Sequence, residues 1–240
     1  MMLYWISRTL PAAETTAEKL KARGYASLTD PVLVVEPIAA AVDVSDFTDI
    51  IFTSPNGVTA FCARHTIRAL TVWAVGTATA EAARSAGFQH IHDANGDGGD
   101  LSRLIIKTGN PAGHYLYAGP ETPARDIAGA LAEAGFRFMQ IPFYRTVARQ
   151  PETALQRLGD ISHVLIHSPR AATLIGQALM DKPLSNTLRV ICISEAAALN
   201  FAKGLQRSLD LSTGNISGLG IHIDIADHPS ETSMLERIGL

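Results

Sequence analysis

Tyr144 sits in the extended stretch Met139-Gln140-Ile141-Pro142-Phe143-Tyr144-Arg145-Thr146-Val147. A phenol held there can give a proton to a leaving oxygen at neutral pH when its neighbours orient it. It can equally pack as an amphipathic ring with its tip in water. Small polar residues occupy five places where an apolar run passes into an Ala-rich stretch: Ser7-Arg8, Thr53-Ser54-Pro55-Asn56-Gly57, Gly76-Thr77-Ala78-Thr79, His167-Ser168-Pro169-Arg170 and Ser194-Glu195. If each apolar run is a strand and each following stretch a helix, these turns present unpaired N–H groups and a partial positive charge that suit anions. The same Ser and Thr can also simply cap their own helices, yet Asp, an equally good cap, is absent from all five turns. Arg8, Arg145 and Arg170 flank these turns or the stretch around Tyr144, where a guanidinium can hold a carboxylate through two N–H groups or stay solvated. The chemistry on offer is anion binding beside a candidate proton donor.

Other chemistries lack their residues. No G-x-S-x-G elbow, no G-x-G-x-x-G and no G-x-x-x-x-G-K-S/T occurs, so support for nucleophilic serine, dinucleotide and nucleoside triphosphate sites is missing. Asn95-Gly96-Asp97-Gly98-Gly99-Asp100 lacks the spaced ligands and closing Glu of a calcium loop and reads as a flexible turn. Cys62 and Cys192 match no paired metal spacing, and the eight histidines form no cluster of three or four ligands, so neither a disulfide nor a metal site is expected. The 20 Lys+Arg against 23 Asp+Glu give a net charge of −3, which offers no basic excess to a nucleic acid or an anionic membrane. The longest uncharged apolar stretch, 69–80, is short of the ~20 residues that cross a bilayer. The amino-terminal residues lack the basic region and apolar length of a signal peptide, so a cytoplasmic protein is expected.

The elements that must position these residues alternate. Strands are expected over Leu3–Ser7, Asp49–Thr53, Val72–Gly76, His114–Ala118, His163–His167, Val190–Ser194 and Ile221–Ala226. Helices are expected over Ala12–Ala22, Pro55–Arg64, Thr79–Ala86, Pro123–Ala134, Pro169–Leu179, Glu195–Lys203 and Pro229–Arg237. Uninterrupted apolar strands between helices indicate parallel sheets covered on both faces. The pattern also repeats at an offset of roughly 110 to 117 residues. Tyr4-Trp5-Ile6-Ser7 answers to Tyr115-Leu116-Tyr117-Ala118, Ile50 to Pro55 to Val164 to Pro169, and Leu70 to Gly76 to Leu188 to Ser194. Two lobes of about 100 residues each fit better than one sheet. The Pro-punctuated stretches Val32–Ile38 and Met139–Val147 have the composition of linker strands; paired, they form a hinge with a cleft as the default ligand site.

Four segments taken in order carry a family resemblance: Ile51-Phe52-Thr53-Ser54-Pro55-Asn56-Gly57-Val58, Ala74-Val75-Gly76-Thr77-Ala78-Thr79-Ala80, Ile141-Pro142-Phe143-Tyr144-Arg145-Thr146 and His167-Ser168-Pro169-Arg170-Ala171-Ala172. Together, over nearly the whole chain, they resemble uroporphyrinogen-III synthase. The resemblance implies two similar parallel-sheet α/β lobes joined by a two-stranded linker. The first lobe would be 1–33 plus 149–240, the second 40–138, and the linker strands 34–39 and 139–148. It implies a cofactor-independent lyase, acting as a monomer, that closes the linear tetrapyrrole hydroxymethylbilane to uroporphyrinogen III with loss of water and inversion of the terminal ring. In water the same substrate closes without inversion, so such an enzyme must select a bent geometry. The substrate carries eight carboxylates, which a slightly acidic protein can hold only through local positive potential.

By this resemblance Tyr144 matches the tyrosine that assists departure of the hydroxyl, and Thr79 and Ser168 match residues lining the cleft. Thr53, Ser54 and Asn56 fall in the matching strand-end loop. Arg8, Thr77, Arg145, Arg170 and Ser194 complete the expected substrate contacts. Ser7-Arg8-Thr9 departs from the family's Thr-Arg-Pro, Ala196 and Ala197 stand where relatives often carry hydroxyls, and Arg207–Gly220 is long and rich in Gly and Ser. A two-lobed binding or sensor module for a small anionic ligand is the alternative.

Overall fold

Apolar runs too short for helices become strands, and the Ala-rich stretches between them coil back over the sheets. The computed structural model describes residues 2–39, 42–123, 125–216 and 219–238. Positions 40–41, at the expected start of the second lobe, Ala124 in the expected helix Pro123–Ala134, positions 217–218 in the long stretch before the last expected strand, and both chain ends lie outside the described residues. In chain order the elements are β1 (Leu3–Ile6), α1 (Ala12–Lys21), β2 (Ala26–Thr29), β3 (Leu33–Pro37), β4 (Asp49–Phe52), α2 (Pro55–Cys62), β5 (Thr71–Ala74), α3 (Thr77–Ser85), β6 (Ile91–Asp93), α4 (Gly98–Thr108) and β7 (His114–Pro120). They continue with α5 (Ile127–Glu133), β8 (Arg137–Ala148), α6 (Glu152–Gln156), β9 (Ile161–Ile166), α7 (Pro169–Leu179), β10 (Leu188–Cys192), α8 (Glu195–Gly204), β11 (Leu209–Asp210), β12 (Asn215–Ile216), β13 (Ile221–Ile225) and α9 (Glu231–Glu236).

The chain divides into two compact units, 1–34 with 147–240, and 35–146. In the first, the sheet order is β11-β12-β13-β10-β9-β1-β2, parallel from β13 to β2. In the second it is β3-β8-β7-β4-β5-β6, parallel from β8 to β6. The five parallel strands of the first unit, counted along its own chain, run 2-1-3-4-5, the flavodoxin-like order. The second unit has the same spatial order with its chain entering at a different strand: β8-β7-β4-β5-β6 matches β2-β1-β9-β10-β13. The sequence repeat is this correspondence, since Tyr4 faces His163 in the register of β1 and β9 as Tyr115 faces Asp49 in that of β7 and β4.

Period-two alternation distributes each strand between two apolar layers. Trp5, Val164, Ile166 and Val190 pack on one face of the first sheet with Phe201, while Tyr4, Ile6, Leu165 and Ile191 pack on the other with Met234. In the second sheet Ile50, Phe52, Val72 and Leu116 share one layer, and Ile51, Trp73, Tyr115 and Tyr117 the other. Burial on both faces is why these strands read as continuous apolar runs.

The structure corrects the flexible turn at 95–100. Asp97 accepts hydrogen bonds from the Gly99 and Asp100 N–H groups at 2.7 and 3.1 Å, and Asp100 accepts one from the Asp97 N–H at 2.9 Å. This reciprocal cap starts α4, whose Leu101 and Ile105 are fully buried. The missing calcium ligands leave the segment as a turn, whereas the helical spacing just beyond it carries the signal. Sequence reading also passed over β2, β6, α6 and the short pair β11 and β12, none of which carries a continuous apolar run. Segment 139–148 belongs to β8, whose 137–144 part pairs with β7.

Two features yield testable expectations. A Cβ on Gly176 would lie 2.4 Å from the Phe201 carbonyl oxygen and 2.9 Å from the Gly204 Cα, so backbone contact joins α7 and α8. Gly176→Ala is expected to destabilise the fold by about 1–3 kcal/mol in urea denaturation. His163, stacked on Tyr4 at 4.4 Å between centroids, is pushed from 6.5 down to about 4 by burial, with the Arg189 charge adding to the effect and Asp224 opposing it. Between those values the unfolded chain binds a proton that the native state refuses. Stability supplied by neutral His163 is therefore present above pH 6.5 and falls toward pH 4, at up to about 1.4 kcal/mol per pH unit. His163→Gln should flatten that slope in denaturation curves taken across the window.

Candidate active site

In the second unit the order of strands reverses direction between β7 and β4, so connections leave these neighbours on opposite sides and open a crevice at their carboxyl ends. A cavity of 470 Å³ lies there, lined among others by Thr53, Ser54, Asn56, Tyr117, Arg125 and Tyr144. Thr53 and Ser54 follow the end of β4, and Asn56 is in the first turn of α2. Pro55 suits that turn because an N–H there would have no helical acceptor.

The hydroxyls are paired. Ser54 Oγ lies 2.7 Å from the Tyr144 hydroxyl, and Thr53 Oγ1 lies 3.2 Å from that of Tyr117. Ser54 Oγ also accepts a hydrogen bond from the Gly57 N–H at 3.4 Å, capping α2. Gly57 is required by proximity: a Cβ would meet the Ala118 carbonyl oxygen at 2.8 Å. Tyr144 is 5% exposed. Burial raises its pKa above the ordinary 10, the Ser54 hydrogen bond opposes that rise, and neighbouring Tyr117 adds to it. Burial raises Tyr117 as well, against its hydrogen bond to Thr53. Both phenols hold their protons at neutral pH.

A β-bulge sets the position of Tyr144. Register between β7 and β8 steps from Gly119 opposite Pro142 to Pro120 opposite Tyr144, skipping Phe143. Phe143 and Tyr144, adjacent in the chain, therefore join the same apolar cluster where strict alternation would send them to opposite faces. The Glu121 N–H donates to the Tyr144 carbonyl at 2.8 Å and holds the bulge.

The first unit has the equivalent crevice between β1 and β9, with a smaller cavity of 160 Å³ lined by Arg8, Thr9, His167 and Ser168 among others. Ser168 Oγ caps α7 by accepting from the Ala171 N–H at 3.2 Å. Arg8 Nη1 is 3.2 Å from Glu231 Oε1.

Thus Tyr144, Thr53, Ser54 and Asn56 share one cavity, and Arg8 and Ser168 another. The remaining expected contacts line neither. Thr79 is 2% exposed inside α3, Thr77 is exposed and donates to Asn95 Oδ1 at 3.5 Å, and Ser194 caps α8 through the Ala197 N–H at 3.3 Å. Arg145 is half-exposed with Nη2 2.9 Å from Glu36, and Arg170 is exposed. Sequence reading missed Tyr117, Thr122, Arg125 and Asp97 in the larger cavity. Tyr117 had a signal, a second tyrosine near the carboxyl end of a strand; Arg125 and Asp97, 3.3 Å apart, had none, because their approach joins two separate loops. Among the described residues no group of three or more His, Cys, Asp or Glu can hold a metal ion, and no helix is long and apolar enough to cross a membrane.

Comparison with known proteins agrees with this architecture. A uroporphyrinogen-III synthase structure from Helicobacter pylori superposes with a TM-score of 0.64 at 17% identity, covering 99% of this chain and 97% of that one. A mutant uroporphyrinogen III synthase from the extremely thermophilic bacterium Thermus thermophilus aligns at 17% identity over 100% of this chain and 98% of that one, with a TM-score of 0.49. No curated protein matches the sequence. The family model of uroporphyrinogen-III synthase matches residues 14–208, most of the chain, and the protein therefore belongs to the uroporphyrinogen-III synthase family, cyclising hydro-lyases of haem biosynthesis.

Proposed function

We propose that Tyr144 is the catalytic acid of this cyclisation, giving its phenolic proton to the hydroxyl that leaves hydroxymethylbilane. The observation that carries the assignment is the 2.7 Å hydrogen bond between the Tyr144 and Ser54 hydroxyls at the wall of the cavity. Ser54 Oγ already accepts from the Gly57 N–H, and its own hydrogen is free to point at the phenol oxygen. With Ser54 as donor, the Tyr144 hydrogen is left for the substrate, and the same bond stabilises the phenolate formed as water departs. Electron density from the pyrrole nitrogen expels the hydroxyl as water and leaves a protonated azafulvene, and the proton that Tyr144 gave returns to its phenolate when the final ring closure releases the hydrogen of the unsubstituted carbon of the far pyrrole. The substituted carbon of the far pyrrole attacks the azafulvene, and the resulting spiro intermediate fragments and recloses with the ring inverted. The protein's larger task is to hold the chain bent so that this carbon, and not its unsubstituted neighbour, meets the azafulvene.

Thr53, Ser54 and Asn56 are assigned to substrate contacts in the second unit, and Arg8 and Ser168 to carboxylate contacts in the first. Segments 34–39 and 139–148 are taken as linkers between lobes 1–33 with 149–240 and 40–138. The chain is read as cytoplasmic and as a monomer, and light scattering of the purified protein checks the second reading.

Tyr144→Phe keeps the ring in its apolar cluster and removes the proton. With freshly generated hydroxymethylbilane, kcat for the type III isomer is expected to fall about 10²–10⁴-fold with the thermal midpoint nearly unchanged; an unaltered kcat removes Tyr144 from the chemistry. Ser54→Ala removes both the cap and the orienting donor, and is expected to lower kcat by about tenfold and stability by about 1 kcal/mol. Stability loss with full kcat would show Ser54 to be a cap alone.

A further inference from the structure

The smaller cavity, at the β1 and β9 crevice, contains a buried side chain without a hydrogen-bond partner. Only 8% of the His167 side chain is exposed, and neither ring nitrogen meets a partner in hydrogen-bond geometry. Buried imidazoles left in this state are uncommon, because desolvated donors and acceptors lose free energy unless something satisfies them. The nearest charged oxygen, Glu231 Oε1, is 4.0 Å from Nε2 and is already engaged by Arg8 and Thr16, while the other carboxylate oxygen of Glu231 holds Lys19. These groups, from the loop after β1, from α1 and from α9, are the charges that face His167: two cations against one carboxylate. The surplus is positive. Burial, the Arg8 charge and, more weakly, Lys19 push His167 down to about 4, against the pull of Glu231 and of the Leu165 backbone, which falls short of hydrogen-bond geometry.

The rest of the cavity fits an anion. Ser168 and the N-terminus of the eleven-residue helix α7 bound it, with the positive end of the helix dipole directed there, and Arg8 lines it from the facing loop. A volume of 160 Å³ holds one carboxylate or phosphate group with its attached carbon or a water, and no whole tetrapyrrole. We propose that this cavity is an anion subsite for a single oxyanion group, bound by Arg8 and Ser168 against His167, and that occupancy transfers a proton from solvent to the His167 imidazole. Added negative charge favours the imidazolium, which then donates one of its N–H groups to the bound oxygen. The proton balance is one taken up per anion bound at any pH between the free and bound titration points. Affinity therefore rises as pH falls through that interval, by up to about tenfold per pH unit. The subsite rests on the assignment of Arg8 and Ser168 to anion contacts in the first unit and does not depend on the role given to Tyr144.

The test uses the full chain with carbon-13 in its histidine rings and two probes that stay anionic from about pH 4 to 7, trifluoroacetate and inorganic phosphate. The His167 signal, assigned by its loss in His167→Asn, is followed through pH titrations with and without each anion. Its titration point is expected to move up by at least about one unit with a bound anion, and Arg8→Gln to weaken binding about tenfold or more. Should Arg8→Gln fail to fold for want of the Glu231 pair, Arg8→Lys keeps the charge and loses the guanidinium fork. A response to trifluoroacetate assigns a carboxylate, and a response to phosphate alone a phosphoryl group. If neither anion moves the His167 titration point, or if affinity is the same at both ends of the pH range, the subsite is overturned. Tyr144→Phe, whose turnover tests the role given to Tyr144, should retain the full anion response, which separates failure of one from failure of the other.

Discussion

One hydroxyl oxygen, Ser54 Oγ, joins the fold to the site. It accepts the Gly57 N–H, which it shares at the first turn of α2 with the Ser54 carbonyl oxygen, and it lies 2.7 Å from the phenol of Tyr144. The first contact is a need of any helix that follows a parallel strand. The second exists because β7 lies between β4 and β8, so that the end of β4 and a residue of β8 approach across one strand. Gly57 is part of the same constraint, since a larger residue would strike the Ala118 carbonyl and lift α2 away from β7.

The two units solve the same packing problem with the same strand order and different chain entry points. In each, apolar layers cover both faces of a parallel sheet, and polar residues gather at the carboxyl ends where helices begin. Their crevices have diverged. That of the second unit pairs two phenols with neutral hydroxyls, a setting that keeps protons on oxygen at neutral pH, with the Arg125–Asp97 pair on its wall. The crevice of the first gathers Arg8, Lys19 and Glu231 around His167, a setting dominated by charge. In the repeat, His167 stands where the second unit has Thr53 and Ile6 where it has Tyr117, and these two differences separate a hydroxyl that finds a tyrosine from an imidazole that finds no partner.

A slightly acidic chain can hold a polycarboxylate only where positive potential is concentrated, as at helix N-termini and guanidinium groups. Net charge argues against nonspecific polyanion binding and is silent on a specific site. The positions of Arg145 and Arg170 illustrate the distinction: both flank strand ends in the sequence, yet one is paired with Glu36 on the surface and neither lines the two crevices.

By itself the sequence determined the seven apolar strands, their helices, the duplication and the strand-end turns, because periodicity, capping residues and chain breaks act over a few neighbouring residues. The same local signals identified Tyr144, Ser54 and Thr53 as candidates. Only the tertiary structure decided which candidates meet. Thr79 turned inward with the face of α3, Tyr117 joined the site from β7, Arg125 met Asp97 across two loops, and Asp97 proved to cap a helix where a turn was expected. The bulge at Phe143 was equally invisible, since one skipped register partner leaves no trace in composition but reverses the face on which Tyr144 lies. Strand order, register and loop approach depend on contacts between residues far apart in the chain, and these emerge only when both faces of each sheet have been buried.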